Sequence, residues 1–274
     1  MSQVIELCSW NVKGIRACLK KGFLSWFEAE KASVIGLQEV RALSEQLPEE
    51  LRAPSGWTAE FSAAEKKGYS GVGLYSRWRP DELDRSLGRD EFDREGRLIL
   101  ARFGKLWVAN VYFPNGSGRR DNSRVPFKLD FYRALREKLR PLLFAGEPVV
   151  VMGDWNTAHR EIDLARPRAN QNTSGFLPEE RAELDEWIGE GWGDSFRLLH
   201  PEQGERYSWW SFRSGARARN VGWRIDAIFL SPAAREHLKG AEIDTDTMGS
   251  DHCPVRVQLD AEILGHGVDA PQEL

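Results

Sequence analysis

The stretch VVVMGDWNTAH, residues 149–159, runs four apolar residues into Gly153 and then sets Asp154 and Asn156 on either side of Trp155. The apolar part reads as a buried strand, because a short, continuous, β-branched run of this length suits a sheet covered on both faces. Its polar end is ambiguous by itself. Asp and Asn side chains bond their own backbone, so a plain turn accounts for them equally well. The rest of the chain decides between a turn and a site.

Other apolar runs end in the same way. Residues 4–10 lead to Asn11, and ASVIGLQEV (residues 32–40) carries Glu39 at its end. WVANVYFPN (residues 107–115) ends with Tyr112 and Asn115. Asp226 opens the apolar half of GWRIDAIFL, and Asp251 and His252 precede the last run, CPVRVQL. A single polar residue at a strand end is unremarkable. A repeated set drawn from Asp, Glu, Asn, His and Tyr is not explained by turns, and ligand sites in α/β folds gather at strand ends. Asp154 and Asn156 are therefore read as parts of one converging site.

The residue types state a chemistry. Oxygen ligands without cysteine suit Mg²⁺ or Mn²⁺. The neutral amide of Asn156 can donate to an anionic oxygen. A histidine beside an aspartate suggests an imidazole held in one tautomer or kept protonated. A tyrosine can protonate or stabilise a developing alkoxide. Together these suit metal-assisted attack of water on a phosphodiester. Acyl transfer is disfavoured, because neither a G-x-S-x-G elbow nor a reactive-cysteine motif is present.

Between these points, helices are expected over residues 20–30, over 44–51 with Ser44 as N-cap, over 127–143 and over 178–188. GWTAEFSAA and SGVGLYSR read as consecutive strands around a Lys66-Lys67-Gly68-Tyr69 loop, and a hairpin is expected around Gly104. The mixture of hairpins and crossovers is α/β. At 274 residues, with 41% hydrophobic and 29% charged residues, the chain can bury a sizeable core. One catalytic domain is expected over residues 1–260, with a loose tail over 261–274. Three cysteines without C-x-x-C spacing exclude a disulfide framework and a structural zinc site. No signal peptide or membrane-length apolar run is evident, so a cytoplasmic protein is expected.

The net charge of −4 is not the footprint of a strongly basic nucleic-acid binder. Any polyanion surface must therefore be local. RYSWWSFRSGARARNVGWR, residues 206–224, supplies one: five arginines and no acid, interleaved with Trp, Tyr and Phe. EKKGYSG and GSGRRDNSR add two basic loops. The plain alternative is a solvated, salt-bridged face.

SWNVKGIRA, LQEV, NVYFPNG, GDWNTAH, NVGWRID and GSDHCPV, in this order, resemble the exonuclease III family of apurinic/apyrimidinic (AP) endonucleases, within the wider endonuclease/exonuclease/phosphatase fold. The resemblance spans about residues 4–260. It implies a four-layer α/β sandwich with two packed mixed sheets flanked by helices. It also implies a Mg²⁺-dependent nuclease, with Mn²⁺ as a substitute, that cuts 5′ to abasic sites and trims 3′ ends. The expected partner is double-stranded DNA, and a monomer is expected.

The implied roles fall on particular residues. Glu39 is the main metal ligand, with Asn11 and Asp251 nearby. Asp154 orients or activates water, Asn156 positions phosphate and water, and Tyr112 stands near the leaving oxygen. His252, paired with Asp226, stabilises the scissile phosphate. Trp209 and Trp223, with Ile225, wall a pocket for a flipped-out abasic sugar. Arg213 stands where a relative inserts a side chain into DNA. Tyr69, Lys66 and Lys67 grip the backbone, and Arg217, Arg219 and Asn220 face the duplex.

Two departures stand out: Lys13 replaces a short Asn or Asp near the metal, and Trp155 replaces Phe. His159 and Asp163 are read as a structural pair, and Cys253 as packing. A lipid or inositol phosphodiesterase and a catalytically dead DNA-binding module remain the competing readings. The first lacks a membrane-docking stretch. The second has only Lys13 in its favour.

Overall fold

The computed structural model describes residues 3–118 and 121–265. In chain order its strands are β1 (Val4–Asn11), β2 (Val34–Gln38), β3 (Thr58–Ser62), β4 (Val72–Ser76), β5 (Glu82–Asp84), β6 (Leu98–Phe103) and β7 (Leu106–Tyr112). They continue as β8 (Val149–Asp154), β9 (Gly193–Asp194), β10 (Trp209–Trp210), β11 (Gly222–Trp223), β12 (Asp226–Leu230), β13 (Leu238–Ile243) and β14 (Val255–Asp260).

Two six-stranded sheets form, ordered β13-β14-β1-β2-β4-β3 and β5-β6-β7-β8-β12-β9, with β10-β11 as a separate ribbon. Each large sheet is mixed. β1 and β2 are parallel in one, and β7 and β8 are parallel in the other. Their carboxyl ends therefore present Asn11 with Gln38, and Tyr112 with Asp154, as register partners. β12 runs antiparallel to β8, so its first residue, Asp226, lies opposite Asp154. This explains why Asp226 opens an apolar run while the other site residues close theirs.

The sheets pack face to face through Leu7, Val34, Leu74, Ile99, Val108, Met152, Ile228 and Val257. Helix Val125–Phe144 and helix Pro178–Gly189 cover the outer face of one sheet through Phe131, Leu135, Leu184 and Trp187. The segments around Cys18, Phe23, Phe27 and Leu51 cover the other. The four-layer α/β sandwich is the one expected. At the seam between the sheets, the Asn110 amide donates to the Leu37 and Gly73 carbonyls at 3.2 and 2.7 Å and accepts from Gln38 at 2.6 Å. A Cβ on Gly36 would meet Asn110 Oδ1 and the Met152 methyl at 2.6 Å, so the seam closes only over a glycine. Gly153 is similarly constrained, since a side chain there would lie 1.8 Å from the Val111 carbonyl.

Some local expectations change. The helix expected over residues 20–30 is two short helices, Ile15–Leu19 and Phe23–Glu28, divided at Gly22, whose φ of 97° ends regular helix. Ser44 is not an N-cap; it begins a 3₁₀ turn in which Gln46 accepts the Leu43 N–H. The strand expected at RYSWWSF is only β10. Residues 261–264 form a 3₁₀ turn with Ile263 and Leu264 buried in the inter-sheet core, so order extends past the expected start of the tail. The rest of that tail, residues 266–274, lies outside the described residues. No helix among the described residues is long and apolar enough to cross a membrane.

Candidate active site and DNA face

At the shared end of the two sheets lies a cleft of about 360 Å³, lined in part by Lys13, Glu39, Arg41, Tyr112, Asp154, Asn156, Trp209, Trp223, Asp251 and His252. Its floor is a chain of hydrogen bonds. Asn11 Nδ2 donates to Glu39 Oε2 at 3.1 Å and to Asp154 Oδ2 at 2.8 Å, bridging the two sheets. His252 Nδ1 lies 2.8 Å from Asp226 Oδ2, which also accepts from the Ser208 hydroxyl at 2.7 Å. His252 Nε2 faces Asp154 Oδ2 at 4.0 Å.

The charges set one another. Burial raises the Asp154 pKa, and the Asp226 anion raises it further, against the lowering pull of His252. A carboxyl so displaced is a suitable base near neutral pH. Burial opposes the charged form of His252, yet Asp226 and Asp154 outweigh it and keep the imidazole protonated. Burial together with Glu39 drives Tyr112 well above its usual value, so it stays a proton donor. Asp251 is lowered on balance: burial raises it, but His252 and Lys13 prevail.

Strain marks the same place. Glu39, Asn156 and Lys13 adopt left-handed φ values of 57°, 52° and 47°. Such conformations cost about 1–3 kcal/mol each and persist where the surroundings impose them. Asn156 is held from both sides. Its amide donates to the Phe113 carbonyl at 2.9 Å and to Asp154 at 3.2 Å, and its own carbonyl accepts Lys128 Nζ at 2.7 Å. Asn156, the expected phosphate and water positioner, thus also braces Asp154.

The oxygen donors of Glu39, Asn11 and Asp251 fit a hard divalent cation. Each carboxylate already faces a cation, Arg41 beside Glu39 and Lys13 beside Asp251. A second grouping, Asp154, Asp226 and His252, brings ligand-type atoms within 4.8 Å of one another. A protonated imidazole has no lone pair for a metal, so this trio reads as a proton-holding group.

Trp209, Trp223 and Ile225, the residues expected to wall a sugar pocket, lie together. Trp209 pairs with Trp223 across the β10-β11 ribbon, with rings 6.4 Å apart and nearly perpendicular. Ile225 packs beneath them with Leu164 and Phe176. Trp209 Nε1 also donates to Asp251 at 3.0 Å, tying pocket and site together. Lys66 and Lys67 are exposed, and Tyr69 is fixed by Glu95 and Arg97.

The arginine stripe divides. Arg213 and Arg219 are exposed. Arg217 is not available to DNA as expected: its guanidinium donates to the carbonyls of Thr245, Thr247 and Ser250 and stacks on Trp210. The Asn220 side chain likewise bonds Trp210 and the Glu205 carbonyl. Arg206 donates to the Ile243 carbonyl, and Arg224 is buried on Asp163 and Asp194. Arg119 and Arg120 of the second basic loop lie outside the described residues.

His159 and Asp163 do not pair with each other. His159 meets Asp185, while Asp163 accepts from Arg197 and Arg224. Cys253 is core packing, as expected. The buried Lys128–Glu180 pair behind Asn156 was not anticipated. Its signal was a lysine in the apolar stripe of residues 128, 131, 132, 135 and 139.

The comparisons place the chain in a known family and fold. Residues 8–252 match the model of the endonuclease/exonuclease/phosphatase family. An exodeoxyribonuclease of Bacillus subtilis (strain 168) is 40% identical over 254 residues, covering 92% of this chain and 98% of its own. A DNA repair nuclease of Danio rerio is 36% identical, covering 93% and 82%. Among solved structures, an AP endonuclease from Archaeoglobus fulgidus superposes with a TM-score of 0.85 at 27% identity, covering 93% of this chain and 99% of its own. A Neisseria 3′ phosphatase bound to product DNA hairpin gives the same TM-score, identity and coverage.

Proposed function

The chain belongs to the endonuclease/exonuclease/phosphatase family, and from that premise we propose that it is a magnesium-dependent DNA repair nuclease that cuts 5′ to abasic sites and processes 3′ ends. The observation that carries this reading is the Asn11–Asp154–His252–Asp226 arrangement at the foot of a cleft walled by Trp209 and Trp223. The first part is phosphodiester chemistry. The second is an aromatic pocket suited to a sugar that has no base to hydrogen-bond.

In this scheme Asp154, steadied by Asn11 and Asn156, orients water and takes its proton. The His252 imidazolium faces the scissile phosphate and stabilises the charge that develops there, while Asp226 keeps it protonated. In this reading Tyr112, which lines the cleft, donates to the leaving oxygen. A divalent ion held by Glu39, with Asn11 and Asp251 close by, would supply Lewis-acid charge. Exposed Arg213, Arg219, Lys66 and Lys67, with Tyr69, would hold the phosphate backbone. Residues 1–260 act as one catalytic domain, working as a monomer in the cytoplasm, with manganese as the substitute ion.

Names of the relatives support the DNA reading over the lipid one. The Bacillus subtilis relative is named an exodeoxyribonuclease and the Danio rerio relative a DNA repair nuclease. The test is a duplex with one abasic analogue, incubated with Mg²⁺ or with EDTA beside an intact duplex with recessed 3′ ends. Cleavage 5′ to the analogue that EDTA abolishes is the expected result. Equal cleavage in EDTA would overturn it.

A further inference from the structure

Lys13 stands inside the cleft, and its surroundings hold it there. Its ammonium pairs with Asp251 Oδ2, the oxygen that also accepts Trp209 Nε1 at 3.0 Å. The other Asp251 oxygen has, among the described residues, the Ser250 hydroxyl at 3.4 Å. The Lys13 N–H donates to Asn11 Oδ1 at 2.9 Å, and its neighbours Val12 and Gly14 bond the Gln38 and Glu39 carbonyls. This locks the left-handed turn that aims the side chain. On its outer side the ammonium lies 4.8 Å from the centre of the Phe212 ring, a cation–π position. Arg41, the cation beside Glu39, is held differently: Glu39 is the hydrogen-bond partner of its guanidinium among the described residues.

We propose that Lys13 is a resident cation of this site, standing against Asp251 Oδ2, so that the cleft takes one divalent ion, on the Glu39 side, where Arg41 gives way. The inference rests on the site reading above. The reasoning is Coulombic. A carboxylate oxygen already shared by an ammonium and an indole N–H has little left to offer a second metal, and a fixed positive charge repels one. Lys13 thereby supplies, as part of the chain, the positive charge that a second metal would otherwise bring.

Mn²⁺ binding to the purified full chain tests this, read by electron paramagnetic resonance and calorimetry without DNA. The wild type should bind one ion, and Glu39→Gln should lose it. Lys13→Asn should bind a second ion, or bind Mn²⁺ at least about tenfold tighter, roughly 1.4 kcal/mol. Lys13→Met, which keeps an unbranched stem without the charge, should follow Lys13→Asn, and Lys13→Arg should follow the wild type. Unchanged stoichiometry, with affinity within about twofold of wild type, in both neutral variants would overturn the proposal. Weaker DNA binding in those variants with unaltered Mn²⁺ binding would also overturn it, in favour of a phosphate contact. Retention of the ion by Glu39→Gln is a separate failure, that of the site reading itself.

Discussion

Lys128 and Glu180 offer the sharpest test of how the site is braced. Both side chains are fully buried and 2.7 Å apart. Lys128 Nζ has one further acceptor, the Asn156 carbonyl, whereas Glu180 also accepts from the Ser174 hydroxyl and the Gly175 and Leu177 N–H groups. Removing one member of a buried pair costs about 3–5 kcal/mol, because the other charge is left without its partner. The two changes should not be equal. Lys128→Met leaves a carboxylate with three neutral donors, so its cost should sit near about 3 kcal/mol. Glu180→Gln leaves an ammonium without its counter-charge and turns an amide NH₂ either toward that ammonium or toward the Gly175 and Leu177 N–H groups, so its cost should approach about 5 kcal/mol. At about 2–4 °C per kcal/mol for a chain of this size class, Tm should fall by roughly 6–12 °C and 10–20 °C. Calorimetry measures both. The double variant should recover part of the loss, since no lone charge remains. Abasic-site turnover in Lys128→Met should fall by roughly tenfold while DNA affinity holds, because Asn156 loses its brace without loss of a phosphate contact. Melting temperatures within about 2 °C of wild type in both single variants would refute the argument.

Trp223→Ala should reduce abasic-site cleavage far more than affinity for intact duplex, since it removes a wall and not a charge; equal losses in gel-shift and cleavage assays would contradict the pocket. Arg213→Ala and Arg219→Ala should each flatten the plot of log affinity against log salt by roughly one unit. Arg217→Ala should instead lower Tm, and a salt-slope change in that variant without a Tm change would restore it to the DNA face. His252→Asn and Asp226→Asn should each slow cleavage strongly, and the double variant should lose much less than the product of the two, which kinetics on all three can check. Burial alone would raise the Asp163 pKa, but Arg224 and Arg197 hold it well below the usual carboxylate range. Its contribution to stability is therefore present above the unfolded pKa of about 3.9 and is lost as pH falls toward the folded value. The stability gap between wild type and Asp163→Asn, measured by denaturant unfolding, should narrow by up to about 1.4 kcal/mol per pH unit below about pH 4; a gap constant with pH would contradict the linkage.

The strand-end residues were legible because a buried apolar run that stops at a carboxylate or amide leaves few structural readings. Their convergence followed from parallel pairs ending on one side. The arginine stripe was legible only as composition. Which of its guanidiniums face solvent depends on where the Thr245–Thr247 carbonyls and the Asp163 and Asp194 carboxylates fall, and spacing along one segment does not encode that. β13 escaped because LKGAEI is a mostly half-exposed strand without an apolar run, and it pairs only with β14. The ion pairs of Lys13 and Arg41 depend on left-handed turns at residues 13, 39 and 41, none of them a glycine that would announce such a turn.

The seam at Gly36, Asn110 and Met152 has a consequence at the far end of the strands. Asn11 and Glu39 belong to one sheet and Asp154 and Asp226 to the other, so the gap between the sheets is also the gap across the reacting centre. Asn110 fixes that gap with amide bonds of defined length, and Gly36 admits no thicker filling. Leucines and valines elsewhere in the interior can exchange volume with their neighbours and leave the strands where they are. At Gly36 an added carbon would press on the Asn110 amide that joins the sheets, and the Asn11–Asp154 separation would register the shift. A buried seam remote from the cleft would thus set the spacing of the residues proposed to act there.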